Sequence, residues 1–130
     1  MLRRALAGCL ALAAAGLVTT AAGSAAHADL KAPFARAGAV VGLDGSLIDG
    51  KNIYRTWRSA TGQYCVQVAH FVDTMEALIQ ITPRHAARLP YIAYRFPSTQ
   101  CSNQPNTITV SVVSTDTGRL ADGGFDLLIS

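Results

Sequence analysis

From Phe34 onward the chain is written in short runs of alternating apolar and polar side chains, each closed by a turn signal. It never sustains the helical period of about 3.6 residues, so the two-residue rhythm of half-buried strands decides its class. Phe34–Val41 opens the series, and Leu43-Asp44-Gly45-Ser46 supplies an Asp-Gly turn, with a second Asp-Gly signal at Asp49-Gly50. Ile53–Arg58 then sets Ile53, Arg55 and Trp57 on one side and Tyr54, Thr56 and Arg58 on the other. After Ser59–Gly62, Gln63–Ala69 puts Tyr64, Val66 and Val68 on one face and turns Cys65 away with Gln67. Leu78–Thr82, Tyr91–Phe96, Thr107–Ser114 and Phe125–Ile129 complete the set. Between them lie an irregular segment at His70–Ala77, where Asp73 can cap a single helical turn, and two loops, Pro83–Pro90 and Pro97–Pro105. This is the pattern of an all-β, single-domain antiparallel β-sandwich of about seven short strands. It is not an immunoglobulin domain in the strict sense, because Trp57 precedes Cys65 instead of lying between the cysteines.

The first residues carry a different message. Arg3 and Arg4 precede an uncharged apolar run, Ala5–Val18, and small residues lead to Ala26-His27-Ala28. That order is a secretory leader with an A-x-A cleavage site, so residues 1–28 are expected to be removed and 29–130 to act as a secreted, extracellular domain. Leu6-Ala7-Gly8-Cys9 matches a lipid-attachment box, but its apolar region follows the cysteine where that processing needs it ahead. The run is shorter than the roughly 20 apolar residues of a bilayer span, and no later segment approaches that length. Export also decides the cysteines. Cys9 leaves with the leader, and the two that remain, Cys65 and Cys101, are expected to pair. Closing that loop restricts the unfolded chain by about 3–4 kcal/mol on a chain-entropy basis. A domain of this size has only about 5–10 kcal/mol in total, so the bond matters.

Charge narrows the partners. Arg3 and Arg4 leave with the leader, so the eleven basic side chains fall to nine against eight acidic ones. Such a near-neutral surface releases few counterions, and nucleic-acid binding is not expected.

Gly62-Gln63-Tyr64-Cys65-Val66, the turn Asp44-Gly45-Ser46-Leu47, Cys101 and the closing Ala121-Asp122-Gly123-Gly124-Phe125 resemble small uncharacterised secreted proteins of actinobacterial type. A related G-x-Y-x-V strand occurs in β modules near the ends of phage tail fibres. The resemblance spans about residues 36–130 and implies a β-rich, disulfide-linked domain without implying any catalytic residue.

Chemistry is sparse. His70, Asp73 and Glu76 share a helical face at spacing three, the donor set of a zinc site with an open position and of a small metal-assisted hydrolase. Against it, the flanks favour a solvated connection too short to aim them. No G-x-S-x-G elbow follows the leader, and both remaining cysteines are better placed in a disulfide than as nucleophiles. The sequence therefore predicts no enzyme, no cofactor and no metal. Tyr54, Trp57, Tyr91 and Tyr94 are the candidate ligand-binding residues, since aromatic rings beside arginines form platforms for sugars or a protein partner. Tyr54 and Trp57 alternate along one strand, so at least one is expected in the core. The reading is a secreted non-enzymatic binding or assembly domain with a protein or carbohydrate partner. An inhibitor of secreted proteases, presenting Pro83–Pro90 or Pro97–Pro105, is the alternative.

Overall fold

The computed structural model describes residues 30–96 and 98–130, so the leader expected at 1–28 lies outside the described residues. The described residues form eight strands and one turn of 3-10 helix. The strands are β1 (Ala37–Val41), β2 (Leu47–Lys51), β3 (Ile53–Ala60), β4 (Gln63–Val68), β5 (Ile79–Pro83), β6 (Tyr91–Arg95), β7 (Thr107–Val113) and β8 (Phe125–Ile129), with the 3-10 turn at Thr99–Cys101. They form two antiparallel four-stranded sheets, in the orders β2-β1-β8-β5 and β3-β4-β7-β6. The expected antiparallel sandwich is what the chain builds.

The core follows from the alternation. Tyr64, Val66 and Val68 of β4 and Ile108, Val110 and Val112 of β7 face Ala37, Ala39 and Val41 of β1 and Phe125, Leu127 and Ile129 of β8. Small side chains on β1 make room for the large ones. Tyr64 and Phe125, both fully buried, meet edge to face with ring centroids 5.4 Å apart. The opposite face of β4 and β7 is not left to water. Residues 98–106 fold across it, and the Cys65–Cys101 disulfide, with Cα atoms 5.7 Å apart, ties them down. Thr109, on that outer face, is fully buried beneath this cover and bonds Ser98 at 2.7 Å.

Three expectations are corrected. The described residues hold eight strands where about seven are expected, because the turn signal Asp49-Gly50 lies inside β2, opposite Val40 and Ala39. The reversal comes at Asn52, which adopts the left-handed conformation at φ 55°. Asparagine tolerates that region, so no glycine marks the spot. Second, neither Tyr54 nor Trp57 is core. A bulge between Ile53 and Arg55 breaks the alternation, leaving Ile53 against Val68 while Arg55 and Trp57 pair with the outward-facing Gln67 and Cys65. A bulge inserts one unpaired residue, and here that residue is Tyr54, which is 73% exposed. Third, Asp73 starts no helical turn. Its carboxylate accepts the Met75 N–H at 2.9 Å in an irregular stretch. The other boundaries move less: the first strand begins at Ala37, and Pro83 closes β5, tolerated because β5 is an edge strand.

Candidate functional site

One end of the sandwich opens into a cleft of about 710 Å³, between the 42–46 turn, the 83–90 loop and the 114–124 segment. Its floor is apolar, formed by Val41 and Val112 from the ends of β1 and β7, and Leu43 and Ile48 line its mouth. Local chemistry explains each wall. The 42–46 turn closes with the Gly42 N–H on the Ser46 carbonyl at 2.9 Å, while Asp44 accepts the Ser46 N–H at 3.0 Å and its hydroxyl at 2.6 Å. The Ser46 hydroxyl, then its N–H, hold the Asp44 carboxyl below its ordinary pKa. Gly45 sits at φ 86° against the backbone of β3, where no side chain fits.

The third wall is fixed by Asp122. Its Oδ1 accepts from Arg58 Nε and from the Gly62 N–H, each at 2.8 Å. The Tyr64 hydroxyl donates to the Leu43 carbonyl at 2.7 Å, lies 3.3 Å from Asp122 Oδ1, and accepts the Gly123 N–H at 3.0 Å. One buried phenol thus joins the 42–46 turn to the 121–124 segment. The Arg58 guanidinium is the main cause that lowers the Asp122 pKa, and burial raises that of Tyr64. The 83–90 loop is held by Arg84 on Asp126 at 2.8 Å and Arg88 on Asp116 at 2.6 Å.

What this arrangement can do chemically is limited by those pairs. The three arginine–aspartate contacts cancel charge locally, while Asp44 is bonded to Ser46. Ser46 bonds Asp44 and the Ser114 hydroxyl accepts the Asp116 N–H, so neither of these cleft serines is hydrogen-bonded to His85. Among the described residues no group of three His, Cys, Asp or Glu side chains stands close enough to hold a metal ion. His70, Asp73 and Glu76 are exposed on the irregular segment after β4.

The chain matches no family model, no curated protein and no solved structure. Its site is therefore read from geometry alone. That geometry does not gather the four aromatic candidates. Tyr54 and Trp57 stand on β3 and Tyr91 and Tyr94 on β6, the two edges of one four-stranded sheet. Three strand spacings, about 14 Å, separate them. Tyr91 points outward beside Val113, whereas Tyr94 lies on the inner face beside Val110 and packs on Phe96 at 5.7 Å. None of the four lines the cleft. Sequence reasoning did not pair Arg84 with Asp126, Arg88 with Asp116 or Arg58 with Asp122. The signal was absent: the ion pairs span 28 to 64 positions, and no local pattern announces them.

Proposed function

We propose that this chain is an exported, non-enzymatic binding module, and that its ligand occupies the cleft between the 42–46, 83–90 and 114–124 segments. The observation that carries the reading is a mainly apolar hollow of about 710 Å³ whose two lining arginines, Arg84 and Arg88, are already paired with aspartates. Pockets for small ligands have that size and that mix of apolar wall with few polar groups. A compact, largely uncharged ligand with one or two hydrogen-bonding groups suits it. The leader-like residues 1–28, the Cys65–Cys101 bond and the resemblance to small secreted actinobacterial proteins support export. Among the described residues no helix is long and apolar enough to cross a membrane. A protease-inhibitor role gains less support, because Arg84 and Arg88, the basic residues of the Pro83–Pro90 loop, are tied to aspartates of this same chain.

The test uses the apolar dye anilinonaphthalene sulfonate and a plug, Ala86→Trp, in the exposed cleft wall. Saturable one-to-one fluorescence enhancement, lost with the plug and kept in Tyr54→Ala, is the expected result. Enhancement indifferent to the plug would remove the cleft from consideration. Intact mass of the product from culture medium, beginning at Asp29 and lacking two thiol hydrogens, is the expected sign of export.

A further inference from the structure

A second hollow, of about 890 Å³, lies at the opposite end of the sandwich, and its charge is arranged differently. Arg55 and Trp57 project from the outer face of β3, with the guanidinium carbon 4.5 Å from the indole centroid. Arg55 Nε donates to Gln67 Oε1 at 2.8 Å, and the Gln67 amide donates in turn to the Pro105 carbonyl at 3.0 Å. Indole face and glutamine together hold the guanidinium in one orientation and engage only its Nε. Its two terminal nitrogens make no hydrogen bond to the described residues. Arg58, Arg84 and Arg88 each rest on an aspartate, but among the described residues no carboxylate lines this groove. Its rims are aromatic: Tyr54, displaced outward by the bulge, and Phe71, which is 66% exposed.

We propose that this groove binds an acidic saccharide, with the carboxylate of a uronic acid residue on the terminal nitrogens of Arg55 and the sugar ring against Tyr54 or Phe71. A pre-oriented guanidinium offers parallel N–H donors that match a planar carboxylate in a bidentate pair. Aromatic faces at the rim offer a surface for the C–H face of a pyranose, and the amide of Gln104 lies within the same groove for its hydroxyls. A single cation on a near-neutral domain suits one carboxylate at a time and not a polyphosphate backbone. The site is separate from the cleft at the other end, and neither depends on the other.

The experiment titrates the unmodified, disulfide-bonded protein with a galacturonate oligosaccharide, following the fluorescence of Trp57, the one tryptophan of the chain, and checking by calorimetry. The same oligosaccharide reduced at its carboxyl groups is the first control, and a short peptide with a free C-terminal carboxylate is the second. The uronate is expected to saturate the site, and both controls to bind about tenfold more weakly or worse. Arg55→Gln is expected to weaken the uronate about tenfold and leave the reduced sugar unchanged, and Tyr54→Ala to weaken both. Ala86→Trp is expected to change neither. Equal affinity for the uronate and its reduced form, preference for the peptide, or no saturable binding of the uronate would each overturn the proposal. Those three readouts need no variant, so they decide the matter even where a substitution disturbs folding.

Discussion

The two ends of the sandwich are fastened by different chemistry, and strand β4 reaches both. At its start, Tyr64 donates to Leu43, takes the Gly123 N–H and touches Asp122, which in turn holds Arg58. At its finish, two asparagines do the corresponding work. The Asn106 amide donates to the Ala69 and Val72 carbonyls at 2.9 and 3.2 Å, and the Asn52 amide to the Arg36 carbonyl at 2.7 Å. Their own carbonyls accept the Val68 and Ala69 N–H groups, and both residues stand in the left-handed region. One end is thus closed by a phenol and an ion pair, the other by neutral amides. The consequence reaches the two hollows. Where aspartates fasten the loops they also neutralise the nearby arginines, and the cleft is left with apolar walls. Where amides fasten them, no carboxylate among the described residues pairs with Arg55. The means of closing each end decides what kind of ligand that end suits.

The sharpest way to break this comparison is to remove the fastener at each end. Tyr64→Ala deletes a fully buried ring along with its hydroxyl, and the expected cost is about 3–5 kcal/mol, enough to unfold much of the protein at 37 °C. Asn106→Ala is expected to cost about 2–3 kcal/mol, from two lost hydrogen bonds and a left-handed residue without its tolerance. Asn106→Gly keeps the backbone conformation and is expected to recover about 1 kcal/mol of that. Tyr64→Phe, which removes only the hydroxyl, is expected to cost about 1 kcal/mol, since water can reach Asp122. Urea unfolding of the four variants gives the order. A Tyr64→Phe loss larger than that of Asn106→Ala would reverse the assignment of the stronger clasp.

These residues also mark how far the sequence could be read. The strand alternation, the inward set of β4, β7 and β8 and the cysteine pair were all legible, because each follows from a two-residue period or from a count. The fasteners were not. Asn52 and Asn106 act through left-handed turns that carry no glycine, and Asn52 ends a strand masked by Asp49-Gly50. Tyr54 and Trp57 were misplaced by one bulge, since one extra residue exchanges the faces of everything before it relative to everything after. The cleft was illegible for another reason: it is the meeting of three loops whose ion pairs join residues far apart in the chain.

Acid and alkali should distinguish the ends next. The carboxyls of Asp122 and Asp44 are held below the usual value of 3.8, by Arg58 and by Ser46 respectively. Depressed folded values mean stability that is complete above the unfolded pKa and lost as pH falls from about 3.8 through the lower folded values. Tyr64 is shifted upward from 10.0 by burial, so its contribution is complete below 10.0 and lost as pH rises through the folded value. Asp122 keeps about a third of its side chain in water, so its share is at most about 1 kcal/mol. Amide exchange by NMR gives the local reading. Protection of the Gly62 and Gly123 N–H groups is expected to fall toward pH 3, while the Val68 and Ala69 N–H groups, bonded to asparagine carbonyls, hold. Asp122→Asn is expected to flatten the acid response. Equal loss at both ends would mean that the ends do not open separately.

The smallest expected effect separates fastening from lining. Arg88 and Asp116 meet at 2.6 Å, yet their side chains are 75% and 53% exposed. Both ions keep most of their hydration, so the contact gains little over water and holds two mobile side chains still at some entropic cost. Arg88→Ala is therefore expected to change stability by less than about 0.5 kcal/mol, well under the loss from Tyr64→Phe at the same end. Its effect on the cleft should be larger in proportion, because the substitution frees Asp116 as an uncompensated carboxylate beside an apolar wall. The anionic dye is expected to bind the variant more weakly at low salt and to recover at high salt, where that charge is screened. A stability loss near that of Tyr64→Phe would instead make the 83–90 loop part of the clasp, and the contrast between a buried phenolic fastener and an exposed, ion-paired loop would no longer describe this end.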